Sequence, residues 1–178
     1  YVLSVLLLAY ILSFIDRNIM SVLVGPVRAH FDISDFQFSL LHGMAFTLFY
    51  VVLGLPIGWL ADRYSRKWII TGGVFFWSVM TCLCGLAKSF AGFFTTRIGV
   101  GVGEATLSPG VYSILGDYFP PHKLRWATAV FAMGITLGSG LSYKVGSWLY
   151  QWLSQQDFSG IPLIETLSAW QLTFVAVG

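Results

Sequence analysis

From Phe36 to Ala61, and again from Trp68 to Ala87, the chain carries no Asp, Glu, Lys or Arg. About 20 apolar residues in a helix are enough to cross the roughly 30 Å of bilayer hydrocarbon. Two such runs separated by a handful of residues leave few alternatives to a pair of antiparallel membrane helices. The composition agrees, with 56% hydrophobic and 10% charged residues. A soluble domain carries about 25% charged residues, and this chain cannot cover itself with polar surface. No period-2 alternation marks it as an outer-membrane barrel. The class is an all-α polytopic membrane protein.

The two runs are joined at Gly54-Leu-Pro-Ile-Gly-Trp-Leu-Ala-Asp-Arg-Tyr-Ser-Arg-Lys67, the densest charge cluster in the chain. Asp62 and Arg66 are four apart, so one continuing helical turn would bring them together. Six spans follow from the apolar pattern and its breakers. Span 1 covers Tyr1–Val24 and is closed by Gly25-Pro26. Span 2 covers Phe36–Ala61, capped by Ser34 or Asp35. Span 3 covers Trp68–Ala87, and span 4 covers Gly92–Leu115 with a kink at Pro109-Gly110. Span 5 covers Lys123–Tyr150 after Pro120-Pro121. Gln151–Leu167 forms the longest loop, and span 6 begins near Ser168. The first span has no basic leader and no cleavage site, which argues against a signal peptide. Both ends fall in apolar sequence, the pattern expected of a piece of a longer protein.

Lys and Arg set the orientation. The span 2–3 turn carries Arg63, Arg66 and Lys67, and the span 4–5 turn carries Lys123 and Arg125. The other side has only Arg28 and Lys88, with Asp32, Asp35, Asp157 and Glu165. The N-terminus is therefore expected to be cytoplasmic. Asp16 and Glu104 are 88 positions apart, and Phe31 and Phe119 share that offset. This is the pattern of two inverted three-helix repeats.

Charges inside membrane spans are expensive and mark functional sites. Asp16 and Arg17 sit mid-span in span 1, Arg97 and Glu104 seven positions apart on one face of span 4, and Lys144 in span 5. The functional reading is a polar cavity along spans 1, 4 and 5. Low dielectric disfavours a charged carboxylate and a nearby guanidinium restores it, so a switch of partners would couple proton occupancy to conformation. The alternative is a static ion pair, Arg17 with Glu104 or Asp16 with Arg97, that only fixes helix register. Gly101 lies between Arg97 and Glu104 and admits another backbone.

Small residues recur every four positions at Gly134, Gly138, Ser142 and Gly146, and at Gly54 and Gly58, as close-packing stripes. Gly99, Gly101 and Gly103 cover both sides of span 4. No Gly-Lys-Ser follows them, which excludes a phosphate loop. Trp148, Tyr150 and Trp152 fit an interfacial belt. Cys82, Cys84 and His42 read as packing residues. No basic block points to nucleic acid, and no nucleophile–base set, metal-ligand cluster or cofactor motif emerges. A non-transporting receptor or scaffold is the reading from another class.

Gly58-Trp-Leu-Ala-Asp62-Arg63-Tyr-Ser65-Arg66-Lys67 resembles the helix 2–3 signature of the major facilitator superfamily, Gly-x-Leu-Ala-Asp-Arg-x-Gly-Arg-Lys, with Ser65 in place of the second Gly. Arg97-Ile-Gly-Val-Gly101-Val-Gly103 resembles its helix 4 signature. The resemblance implies that residues 1–178 form the N-terminal six-helix half of a twelve-helix transporter in a plasma or bacterial inner membrane, with a C-terminal six-helix bundle as partner. Within the superfamily the chain resembles the Spinster-like group. Phe14-Ile-Asp16-Arg17, Glu104-Ala105 after the helix 4 string, Asp117-Tyr-Phe-Pro120 and Leu137-Gly-Ser-Gly-Leu-Ser-Tyr143 carry that resemblance. Ser142 and Lys144 stand where Spinster relatives are expected to carry apolar residues or Gly.

The resemblance implies a secondary transporter of an amphiphilic lipid, of the sphingosine-1-phosphate or lysophospholipid class, working by alternating access. Asp16, Glu104, Arg17 and Arg97 would couple it to protons, and Arg17, Arg97, Glu104 and Lys144 would line the substrate site. Gly58, Asp62, Arg63, Arg66 and Lys67 would form the cytoplasmic gate, with Asp62 latching the outward-facing state. Anion:cation symporters share the Asp-Arg pair and much of the helix 4 string, so small organic anions are the alternative substrates.

Overall fold

The computed structural model describes residues 1–156 and 166–178. Asp157, Glu165 and most of the loop expected over Gln151–Leu167 lie outside the described residues. Nine α-helices and one π-helical turn, all among the described residues, build six rods. The first rod is α1 (Val2–Val22) followed by α2 (Val24–Phe31). Gly25-Pro26 does not close it, contrary to the expectation from the sequence. Pro26 lies in the first turn of α2, where its missing N–H is tolerated. The same missing N–H leaves the carbonyl of Val22 without a helical partner, and the rod bends at Leu23 instead. It ends at Asp32, in the left-handed region at φ 49°, which Asp adopts more readily than most residues.

The second rod is α3 (Asp35–Ser39), the π turn Leu40–Met44 and α4 (Ala45–Arg63). Ser34 caps it: its Oγ accepts from the Gln37 N–H at 3.2 Å while Gln37 Oε1 accepts from the Ser34 N–H at 3.0 Å. The third rod is α5 (Arg66–Leu86). Between them Tyr64 and Ser65 are extended, so Asp62 and Arg66 do not share a helix and the contact expected from their spacing does not form.

The fourth rod is α6 (Phe90–Glu104) and α7 (Leu107–Tyr118). The break falls at Ala105-Thr106, one turn before the expected kink at Pro109-Gly110. Pro109 cannot donate to the carbonyl of Ala105, and both the N–H and the hydroxyl of Thr106 donate to the Gly103 carbonyl, at 3.2 and 2.8 Å. The fifth rod, α8 (Pro121–Gln155), has 35 residues. At 1.5 Å per residue it is about 52 Å long, well beyond the hydrocarbon thickness. Trp148 and Trp152 stack near its end. The sixth rod is α9 (Ala169–Val177), capped by Ser168.

Three of these helical stretches are by themselves long and apolar enough to cross a membrane: Val2–Val22, Asp35–Arg63 and Arg66–Leu86. The fourth rod is split into pieces, and α9 is short. The repeat visible in the sequence is also visible in the rods. The offset of Asp16 from Glu104 carries Val2 onto Phe90, the first residues of the first and fourth rods, and Phe31, the last of the first rod, onto Phe119, one residue past the end of the fourth.

α1 packs along α8 through the stripe Gly134, Gly138, Ser142 and Gly146, all buried. A Cβ on Gly138 would lie 2.5 Å from Phe14 Cβ and 2.8 Å from the Ile11 carbonyl. The other expected stripe does not pack this way. A Cβ on Gly54 meets nothing within 4 Å, and one on Gly58 meets only Pro109, at 3.8 Å.

Candidate functional site

Asp16 and Arg17 are neighbours on α1, and Arg97 and Glu104 lie two turns apart on α6. Arg97 is 0% exposed, Glu104 1% and Asp16 3%. Both ion pairs open to these residues form at once. Arg17 Nη2 lies 2.8 Å from Glu104 Oε2, and Arg97 Nη1 lies 3.5 Å from Asp16 Oδ1. Each carboxylate also takes a hydroxyl donor. Ser13 Oγ donates to Glu104 Oε2 at 2.7 Å, and Thr81 Oγ1 on α5 donates to Asp16 Oδ2. Ser13 and Arg17 are four apart and so share the face of α1 that meets Glu104.

The close approach of α4 comes from Gly101, where a Cβ would lie 2.7 Å from the Phe46 carbonyl. This seats Phe46 and Tyr50, one turn apart, over Arg17. The guanidinium lies 4.4 Å from the Phe46 ring centroid, 5.0 Å from that of Tyr50 and 4.8 Å from that of Phe14. The Tyr50 hydroxyl meets Ser108 Oγ at 3.1 Å. Glu104 Oε1, Arg17 Nε, and Arg97 Nε and Nη2 are buried without a hydrogen bond among the described residues. The network therefore holds spare donors and a spare acceptor.

The groups expected to line a polar cavity along spans 1, 4 and 5 are instead held among the first four rods. α8 borders them at Asn18 of α1, whose Nδ2 donates to Ser139 Oγ at 3.3 Å. Lys144 is not brought to the network. Ser142 faces α1, and Lys144 is two positions on, about 200° round the helix, in an exposed depression with Leu141, Val145 and Trp148. Cys84 is buried and donates to Thr96 Oγ1 at 3.2 Å, and Cys82 is a free thiol. His42 lies in the π turn, with Nε2 3.4 Å from Ser21 Oγ. Among the described residues no three or more His, Cys, Asp or Glu gather as a metal site would require.

At the far end of the bundle Arg66 pairs with Asp117, at the end of α7. Arg63 stacks on Trp59 at 4.0 Å and Lys67 lies over Trp68 at 5.7 Å. Asp62 is exposed and makes no ion pair among the described residues. The sequence reading did not assign Ser13, Thr81, Phe46, Tyr50 or Asp117 to either site. Only Ser13 carried a signal, its four-residue spacing from Arg17.

A family model described as Major Facilitator Superfamily matches residues 6–178. The chain belongs to the Major Facilitator Superfamily. Within this superfamily it is Spinster-like. Protein spinster of Drosophila melanogaster is 36% identical over 147 residues, covering 83% of this chain and 24% of that protein. The sphingosine-1-phosphate transporter SPNS2 of Xenopus tropicalis is 33% identical over 150 residues, covering 83% of this chain and 29% of that one. A solved bacterial homolog to the human lysosomal transporter Spinster, inward-facing and unoccupied, superposes with a TM-score of 0.89 at 40% identity. The superposition covers 99% of this chain and 39% of that transporter. The chain thus spans less than half the length of these relatives; the proteins of its superfamily are integral membrane transporters.

Proposed function

We propose that residues 1–178 form the N-terminal bundle of a proton-coupled secondary transporter that moves an amphiphilic, lipid-like substrate by alternating access against a C-terminal six-helix bundle. The observation that carries this reading is the double ion pair, in which two carboxylates each share one cation and one hydroxyl while further donors stay free. A purely structural pair would saturate its groups, since unpaired buried polar atoms are costly. A proton on Glu104 cancels its attraction for Arg17. Arg17 has the most exposed side chain of the four, at 27%, so the released guanidinium can meet an anionic head group. Arg97, fully buried, acts as the counter-charge to Asp16. The names of the SPNS2 relatives favour sphingosine-1-phosphate as the lipid. The Lys/Arg-bearing ends of the second and third rods mark the cytoplasmic face, in keeping with positive charge on that side.

The test uses the full-length protein in proteoliposomes with an imposed pH gradient, comparing sphingosine-1-phosphate with a short organic phosphate. Flux of the lipid and not of the short anion is expected, and Glu104→Gln and Asp16→Asn should each abolish its dependence on the gradient. Unchanged dependence in both variants removes these residues from coupling, and flux of the short anion alone replaces the lipid with an organic anion.

A further inference from the structure

We propose that Phe14, Phe46 and Tyr50 form an aromatic cage that takes over Arg17 when Glu104 accepts a proton, and so sets the pH at which the network switches. The inference rests on the reading of Glu104 as a proton carrier. Once Glu104 is neutral, Arg17 is a cation without its carboxylate in a low-dielectric bundle, a state that opposes protonation. Arg17 Nε already lacks a partner, and Ser13, the other group on Glu104, is aimed at the carboxylate rather than at Arg17. What surrounds the guanidinium is three ring faces within 5.0 Å of its carbon. The negative face of an aromatic ring attracts a cation, more so away from water.

The rings lie over the guanidinium while it is still paired, and their negative faces attract it more strongly once the neighbouring carboxylate charge is gone. This cushions the loss of the ion pair and favours the protonated form of Glu104. The rings are well placed for this. Phe46 and Tyr50 are four apart on α4, pressed in by the close contact at Gly101, and the Tyr50 hydroxyl is tied to Ser108. The other titratable groups that face the pair are Asp16 and Tyr10 on α1 and the phenol of Tyr50 on α4; beyond them His42 in the π turn faces Arg97 on α6, and Tyr112 on α7 faces Tyr10. α5 brings Thr81, which is bonded to Asp16, and the Cys84 thiol, which is bonded to Thr96. None of these supplies a second anion for Arg17 except Asp16, which already holds Arg97. The cage residues are positioning residues, since they act on the proton through Arg17.

The experiment is infrared spectroscopy of the full-length protein in liposomes, following the protonated-carboxyl stretch that disappears in Glu104→Gln as pH is varied. Phe46→Leu and Tyr50→Leu keep apolar volume and remove a ring face. Each is expected to move the midpoint of that band about one unit to lower pH. Phe46→Trp and Tyr50→Phe keep a ring face and should hold the wild-type midpoint, a result that a packing role would not produce. A wild-type midpoint in both leucine variants overturns the cage while leaving Glu104 as the proton carrier. An equal shift in Tyr50→Phe assigns the effect to the hydroxyl and overturns the cage at that position. A wild-type protein with no such band at any pH removes Glu104 as a carrier and the cage with it.

Discussion

Ser13 and the cage rings bear on the same carboxylate in opposite senses. The hydroxyl donates to Glu104 Oε2, and a donor to a carboxylate favours its charged form. Ser13→Ala therefore makes protonation easier and should move the pH midpoint of transport upward, by up to about one unit, in the proteoliposome assay. A fall or no change would show that the bond is absent in the working protein. The charged members of this site were legible in the sequence because a membrane span tolerates few ionisable groups, and Asp16, Arg17, Arg97 and Glu104 stand out against an apolar background. Their pairing was legible only as two alternatives, because spacing fixes the face of a helix and not what lies opposite. Thr81 gave no sign. A hydroxyl in the apolar run of α5 looks like any other small helix residue until α1 is seen across from it.

Two helices in this bundle are interrupted about one turn upstream of a proline, at Leu23 for Pro26 and at Ala105-Thr106 for Pro109, whereas α4 runs through Pro56 unbroken. The prolines were visible in the sequence. The place of the bend followed from a carbonyl four residues away. The π turn at Leu40–Met44 was not legible, because one added residue in a run that is apolar all round disturbs no pattern. The small-residue stripe of α8 was legible and is used, whereas Gly54 and Gly58 share its spacing and meet almost nothing. Periodicity therefore identified two candidate seams, and only the arrangement of the rods selected one. Gly138→Ala, whose Cβ would press on Phe14 and the Ile11 backbone, should lower stability by about 1–3 kcal/mol, read as a lower unfolding temperature in detergent. Gly140→Ala, with nothing within 4 Å of the new methyl, should hold or raise it. Equal effects at the two positions would mean that α1 and α8 do not lie this close.

Across the whole bundle, the charge network and the cluster at Asp62–Lys67 lie far apart along the rods, yet α7 joins them, since it follows α6, which carries Glu104, and brings Asp117 in its last turn to Arg66. That ion pair is partly solvated, at 29% and 65% side-chain exposure, and pairs of this kind contribute about 0–1 kcal/mol. It occupies Arg66 and leaves Asp62 exposed. On the proposed reading Asp62 latches the outward-facing state, and Asp62→Ala should raise labelling of cysteines placed on the inward side in the full-length protein. Unchanged labelling would remove Asp62 from the gate. The crossed pairing has an electrical consequence as well. α1 brings one negative and one positive charge to the network and α6 brings one of each, so the four groups sum to zero with all of them ionised. A single proton leaves the network at +1. A unit charge moved across a membrane potential exchanges about 2.3 kcal/mol per 100 mV. In a transporter built on this half, voltage would pull on the network of the proton-loaded form and leave that of the empty form indifferent, so the charge balance of two helices would determine which half of the cycle the cell's membrane potential drives.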